Sequence, residues 1–227
     1  KLWKKGAERR CLQMRGPRQK MKKCAFSSEQ IRNWFEHDAL LQAKQGLGHL
    51  YGTMIQTVVQ VGYRRSEYTD AGRGFNRKID LTRGHLKWWI RQEEGEDQQV
   101  PPTVKNLKKL MKLKASNLVY ATLRPPVLKN DQFGSIWGEF STPLPLNQED
   151  ICAARWLLEM EILNPIADME ARLSEPLFRD PTTGRLITVG KFDTYIRRLV
   201  KEEYARRGVR LSDQQARSLY SLHSFRI

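Results

Sequence analysis

Apolar residues recur at helical spacing in four stretches of the chain. Ser27-Ser28-Glu29-Gln30 has the pattern of a capping box and predicts a helix carrying Ile31, Trp34 and Phe35, running on through Leu40 and Leu41. A second helix is predicted from about His49 to Gln60 on Leu50, Met54, Ile55, Val58 and Val59, closed by Gly62. Asn147 is the expected cap of a third, with Ile151, Ala154, Leu158 and Ile162 as its buried stripe and Leu157 at the edge. Trp156 falls on the other side of that helix, and Asn164-Pro165 ends it. Thr188 caps a fourth, carrying Phe192, Tyr195, Ile196, Leu199 and Val200, with Arg and Lys on the opposite face. Ser212 caps a last helix or turn ahead of His223.

Period-two signals are weaker. Leu81–Ile90 alternates loosely and predicts a strand. Residues 118–129 and 134–146 predict two more, joined by a turn at Asn130-Asp131-Gln132-Phe133-Gly134, and Pro125-Pro126 limits the first to an edge or a bend. Lys105–Lys114 mixes Lys and Leu at helix or loop spacing. Gly72, Gly74 and Asn76 mark a loop, 93–97 a surface turn, Pro176-Leu177-Phe178 a buried step, and Asp180–Gly184 a turn. The pattern predicts an α+β fold, mainly helical with a small antiparallel sheet. It divides into a basic arm or linker over residues 1–23 and one folded domain over 24–227.

Composition narrows the partners. The 227 residues carry a formal net charge of +15, which favours a polyanion: DNA, RNA or an acidic membrane surface. Cys11, Cys24 and Cys152 are far apart and lack CxxC spacing, so neither a disulfide framework nor a zinc site is signalled. His37, His49 and His85 are scattered and suggest no metal; no metal or other cofactor is expected. No apolar run reaches the roughly 18 residues of a membrane span, and the basic N-terminal stretch has no apolar core of a secretory signal, though it has the look of an Arg-rich organellar presequence.

Two clusters carry candidate chemistry. Gly62-Tyr63-Arg64-Arg65-Ser66-Glu67 sets an arginine and a carboxylate three residues apart, and Ser221-Leu222-His223-Ser224-Phe225-Arg226 sets an imidazole and a guanidinium three apart. Arginine forks bind paired phosphate oxygens without losing charge, a histidine bonds the same oxygens or moves a proton, and a lysine on a hairpin tip protonates a leaving oxygen. Lys129 has that last setting, with Lys114 and Arg124 as alternatives. Arg64 also fits a cation at the end of the preceding helix. Lys105, Lys108, Lys109, Lys112 and Lys114 fit a phosphate backbone or an ordinary solvated face.

In order and context these motifs resemble the catalytic domain of the tyrosine recombinase and integrase family over roughly residues 20–227. The first cluster is similar to that family's Gly-x-Arg-x-Ser-Glu box, and His223-Ser224-Phe225-Arg226 matches its His-x-x-Arg box. Lys129 sits before a tight turn as the family's hairpin lysine does. The stretch from Pro125 to Gly134, with Pro143-Leu144-Pro145-Leu146 after it, looks most like recombinases of eukaryotic retroelements. The resemblance implies DNA breakage and rejoining through a 3′-phosphotyrosyl intermediate. Arg64 and Arg226 would stabilise the transition state, His223 would assist, Lys129 would protonate the leaving 5′-oxygen, and Glu67 would orient the site. It also implies self-association on DNA or membership of a larger complex, and action in the nucleus, with an organelle as the other setting. The family's third site residue and its nucleophilic tyrosine follow the His-x-x-Arg box, so both are expected beyond Arg226. The chain is thus either a C-terminally incomplete catalytic domain or a domesticated, inactive relative that serves as a basic DNA- or RNA-binding scaffold.

Overall fold

A computed structural model describes residues 24–114, 116, 118–124 and 141–225, except for the His223 side chain. About half of these are helical, and the rest includes a four-stranded antiparallel sheet.

Ser27 opens α1 (Ser28–His37) through a complete capping box with Gln30. The helix predicted to run on to Leu41 stops at Asp38, whose backbone is extended and whose carboxylate instead caps α2 (Ala39–Ala43) on the Leu41 N–H at 2.9 Å. The break has a tertiary cause: Tyr195 and Arg198 reach the same carboxylate at 2.7 and 2.6 Å. Burial alone would raise the pKa of Asp38, and these three donors lower it. The next helix, α3 (Gly46–Val61), begins one turn earlier than expected and ends at Gly62 in the left-handed conformation. A four-residue helix, α4 (Arg65–Tyr68), follows.

The strand expected over Leu81–Ile90 is shorter. Arg83–His85 form a 3-10 turn, and only β1 (Leu86–Ile90) pairs. A strand not foreseen, β2 (Gln98–Val100), lies along one edge. It leads into α5 (Val104–Lys112), whose Leu107 and Leu110 are buried. Strands β3 (Val119–Leu123) and β4 (Thr142–Pro145) complete the order β2-β1-β3-β4. The turn 130–134, Lys129 and the rest of both predicted strands lie outside the described residues. Leu86, Trp88, Val119, Ala121, Leu123 and Leu144 form the sheet's buried face.

The third long helix, α6 (Ala153–Leu163), does not start at Asn147, whose side chain accepts the Glu149 N–H instead. Its cap comes from another helix. Gln56 and Gln60 of α3 accept the Cys152 and Ala153 N–H groups, both at 2.8 Å. Their amide NH2 groups return to the Asp150 and Ile151 carbonyls at 3.1 and 3.2 Å. Two orphan donors are thereby satisfied without a local side chain. Trp156 is buried rather than outward, because α3 closes over it where Gly52 leaves room. Helix α7 (Met169–Ser174), also unforeseen, brings Arg172 to the buried Glu161 carboxylate at 2.5 Å, opposite Arg83 at 2.9 Å. Thr188 and Ser212 cap α8 (Val189–Arg206) and α9 (Asp213–Leu219) as predicted. No helix among the described residues is long and apolar enough to cross a membrane.

Candidate functional site

Gly62 turns the chain sharply out of α3, and Arg64 is extended before α4 begins. That geometry puts Arg64 at the N-cap of α4, not on the C-terminal carbonyls of α3. Glu67, one turn on, folds back so that its carboxylate accepts the Arg64 backbone N–H at 2.6 Å. The other carboxylate oxygen stands 3.8 Å from the Arg64 guanidinium. Glu67 is buried, and the Arg64 side chain is a quarter exposed. One carboxylate thus holds both ends of the arginine and limits where its fork can point. At that distance the contact is an ion pair.

Tyr63 ties this segment to the sheet. Its hydroxyl donates to the Leu123 carbonyl at 2.8 Å. Burial pushes the phenol up to about 12, helped by the Glu67 charge and opposed by a hydrogen bond with Thr142. Leu123 and Thr142 pair with each other as the last and first residues of β3 and β4. The connection that contains Lys129 therefore departs beside the Arg64 segment. Lys129 itself lies outside the described residues.

His85 is at the same end of the sheet. Its Nδ1 accepts the Thr82 backbone N–H at 3.0 Å, which leaves the ring proton on Nε2. Burial lowers its pKa, and the Arg124 charge lowers it further, so the ring is neutral at pH 7. Arg124 donates its own backbone N–H to the His85 carbonyl.

The far end of the chain returns to α4 through aromatic packing. Residues 222–225 form a 3-10 turn. Phe225 stacks on Phe192 of α8 with centroids 6.2 Å apart, and Phe192 meets Tyr68 of α4 edge-on, also at 6.2 Å. Backbone bonds between Asp70 and residues 187–189 lock the end of α4 onto the start of α8. Only the backbone of His223 is described, and Arg226 lies outside, so the geometry of that pair is not part of this structure. Lys105, Lys108, Lys109 and Lys112 are exposed on α5, and Lys114 is exposed just beyond it. Among the described residues no group of three or more His, Cys, Asp and Glu side chains gathers to hold a metal.

The tie from Tyr63 to the sheet and the capping of α6 by Gln56 and Gln60 escaped the sequence reading. Gln56 and Gln60 did leave a sign: two amides four residues apart on one face of a helix that is otherwise strongly apolar. No family model matches the chain, and neither the curated proteins nor the solved structures contain a match.

Proposed function

We propose that the chain is a DNA strand-breaking and rejoining domain of the tyrosine recombinase kind. The supporting observation is the position of the Arg64–Glu67 pair. Its segment is tied through Tyr63 to the base of the β3–β4 connection and through Tyr68 and Phe192 to the turn that contains His223. The Arg64 segment, the ends of β3 and β4 and the turn over residues 222–225 are joined in this way across about 160 residues of sequence.

In this reading Arg64 and Arg226 neutralise the non-bridging oxygens of the scissile phosphate. Glu67 holds the Arg64 fork in place. A tyrosine from after Arg226, its phenolic proton given up to solvent, attacks phosphorus through the phenolate oxygen and forms the new P–O bond as the bond to the 5′-oxygen breaks. Lys129 gives the proton that the leaving oxygen takes up, and His223 bonds a phosphate oxygen. The guanidinium groups carry the positive charge that a metal ion supplies in other phosphoryl-transfer sites.

The test is covalent trapping. The full-length gene product is incubated with a nicked half-site duplex and run on a denaturing gel. A protein–DNA adduct is expected, and Arg64→Ala should abolish it while weakening duplex affinity only modestly. A folded, DNA-binding protein that forms no adduct refutes the reading.

A further inference from the structure

The longest acid-free stretch of the chain runs from Asp97 to Asp131, and it holds Lys105, Lys108, Lys109, Lys112, Lys114, Arg124 and Lys129. Helix α5 occupies its middle. The helix sits in a crossover: β2 and β3 both run antiparallel to β1, and α5 carries the chain across that central strand. Leu107 and Leu110 face inward, and α5 packs against α6. At about 100° per residue, Lys105, Lys108, Lys109 and Lys112 fall within an arc of about 100° on the opposite side. They form one solvent-facing stripe rather than a ring of charge.

Part of the basic surface is neutralised locally. Arg32, Arg73, Arg179, Lys191, Arg198 and Lys201 each meet a carboxylate. Among the described residues, none of the four stripe lysines, nor Lys114, forms an ion pair. They also repel one another. Lys105–Lys108 and Lys109–Lys112 are i,i+3 pairs, Lys105–Lys109 and Lys108–Lys112 are i,i+4 pairs, and each like-charge pair destabilises the helix. Lys105 lies in the first turn, where the helix dipole disfavours a cation. Lys109 and Lys112 in the last turn suit the helix dipole, but covering α6 does not require four mutually repelling lysines on one face. A row of phosphates relieves that repulsion.

We propose that the outer face of α5 is a docking surface for the backbone of duplex DNA, separate from the Arg64 site. The inference goes beyond the catalytic reading and does not depend on it. From Lys105 to Lys112 the stripe is about 10 Å long, which matches about three successive phosphates of one strand. The contacts are to backbone and carry no base preference.

The test is a salt titration. Lys105→Gln, Lys108→Gln, Lys109→Gln and Lys112→Gln are combined, and affinity for a 30-base-pair duplex is measured by fluorescence anisotropy across a range of KCl concentrations. Loss of about three phosphate contacts should reduce the slope of log K against log[salt] by about 2.7. The melting temperature should stay level or rise, because repulsion is removed and glutamine is a good helix former. A control variant removes the same four charges elsewhere, at Lys78, Arg185, Arg206 and Arg210. If slope and affinity match wild type in the stripe variant, α5 is merely solvated. If the control loses as much slope, binding is a diffuse charge effect. If only duplex RNA shows the change, the DNA assignment is wrong. Each of these results overturns the proposal. Should the four-site variant unfold, the Lys105→Gln/Lys109→Gln pair is measured against a slope loss of about 1 to 2. Arg64→Ala separates the two readings: an absent adduct with an unchanged stripe effect refutes catalysis alone.

Discussion

Replacing Tyr63 by phenylalanine removes one oxygen and keeps the ring. The lost bond is 2.8 Å long and ends on a carbonyl in the buried strand β3. A neutral hydrogen bond contributes about 0.5–1.5 kcal/mol net, and a buried acceptor left without its partner costs about 1–3 kcal/mol. A carbonyl has two lone pairs and Leu123 lies in a paired strand, so the lower part of the range applies, about 1–2 kcal/mol. Urea unfolding should show a lower midpoint at unchanged m-value, and the melting temperature should fall by about 2–8 °C for a domain of this size. The pH dependence gives an independent check. The folded phenol titrates at about 12 and the unfolded one near 10. A raised folded pKa means stability that is complete below pH 10 and fades as pH climbs from 10 to 12. The difference between wild type and Tyr63→Phe should therefore be constant at neutral pH and shrink above pH 10. Comparing the pair cancels the titration of the other tyrosines. A variant as stable as wild type at pH 7, or a gap that does not shrink in alkali, refutes the idea that this hydroxyl holds the Arg64 segment to the sheet.

Three further perturbations have defined outcomes. Gly52→Ala puts a methyl 2.5 Å from the Trp156 ring, and overpacking of this kind should cost about 1–3 kcal/mol in denaturant melts. Glu161→Gln leaves the buried Arg83 and Arg172 facing each other without their shared anion, so a loss of about 3–5 kcal/mol is expected, visible as a large fall in urea midpoint. Asp180 has its pKa lowered to about 2: burial opposes this, and Lys191 with the Thr182 hydroxyl and N–H overcome it. Its contribution is present above pH 4 and lost as pH falls toward 2, so Asp180→Asn should be less stable than wild type at pH 7, with the gap closing in an acid titration followed by circular dichroism.

Helices with a one-sided apolar stripe and a local cap were legible in the sequence: α1, α8 and α9 start where their serines and threonine indicate. Elements fixed by distant side chains were not. The start of α6 is set by glutamines about 93 residues upstream, so the local signal at Asn147 misled. The break at Asp38 answers to Tyr195 and Arg198. Strand β2 has three residues and exists only because β1 offers an edge. Short helix α7 is anchored by Arg172, a charge that periodicity counts as surface and that is fully buried on Glu161. At the candidate site, the Arg64–Glu67 spacing was visible as a motif. The role of Tyr63 was hidden, because nothing near it in sequence names Leu123 as its acceptor.

Residues 24–26 and 219–225 are neighbours although almost the entire sequence lies between them. The Cys24 N–H reaches the Leu219 carbonyl, the Phe26 N–H reaches the Ser224 carbonyl, and the Phe26 ring rests on Tyr220 and Phe225. The turn that bears His223 therefore has no seat until it meets a segment made about 200 residues earlier.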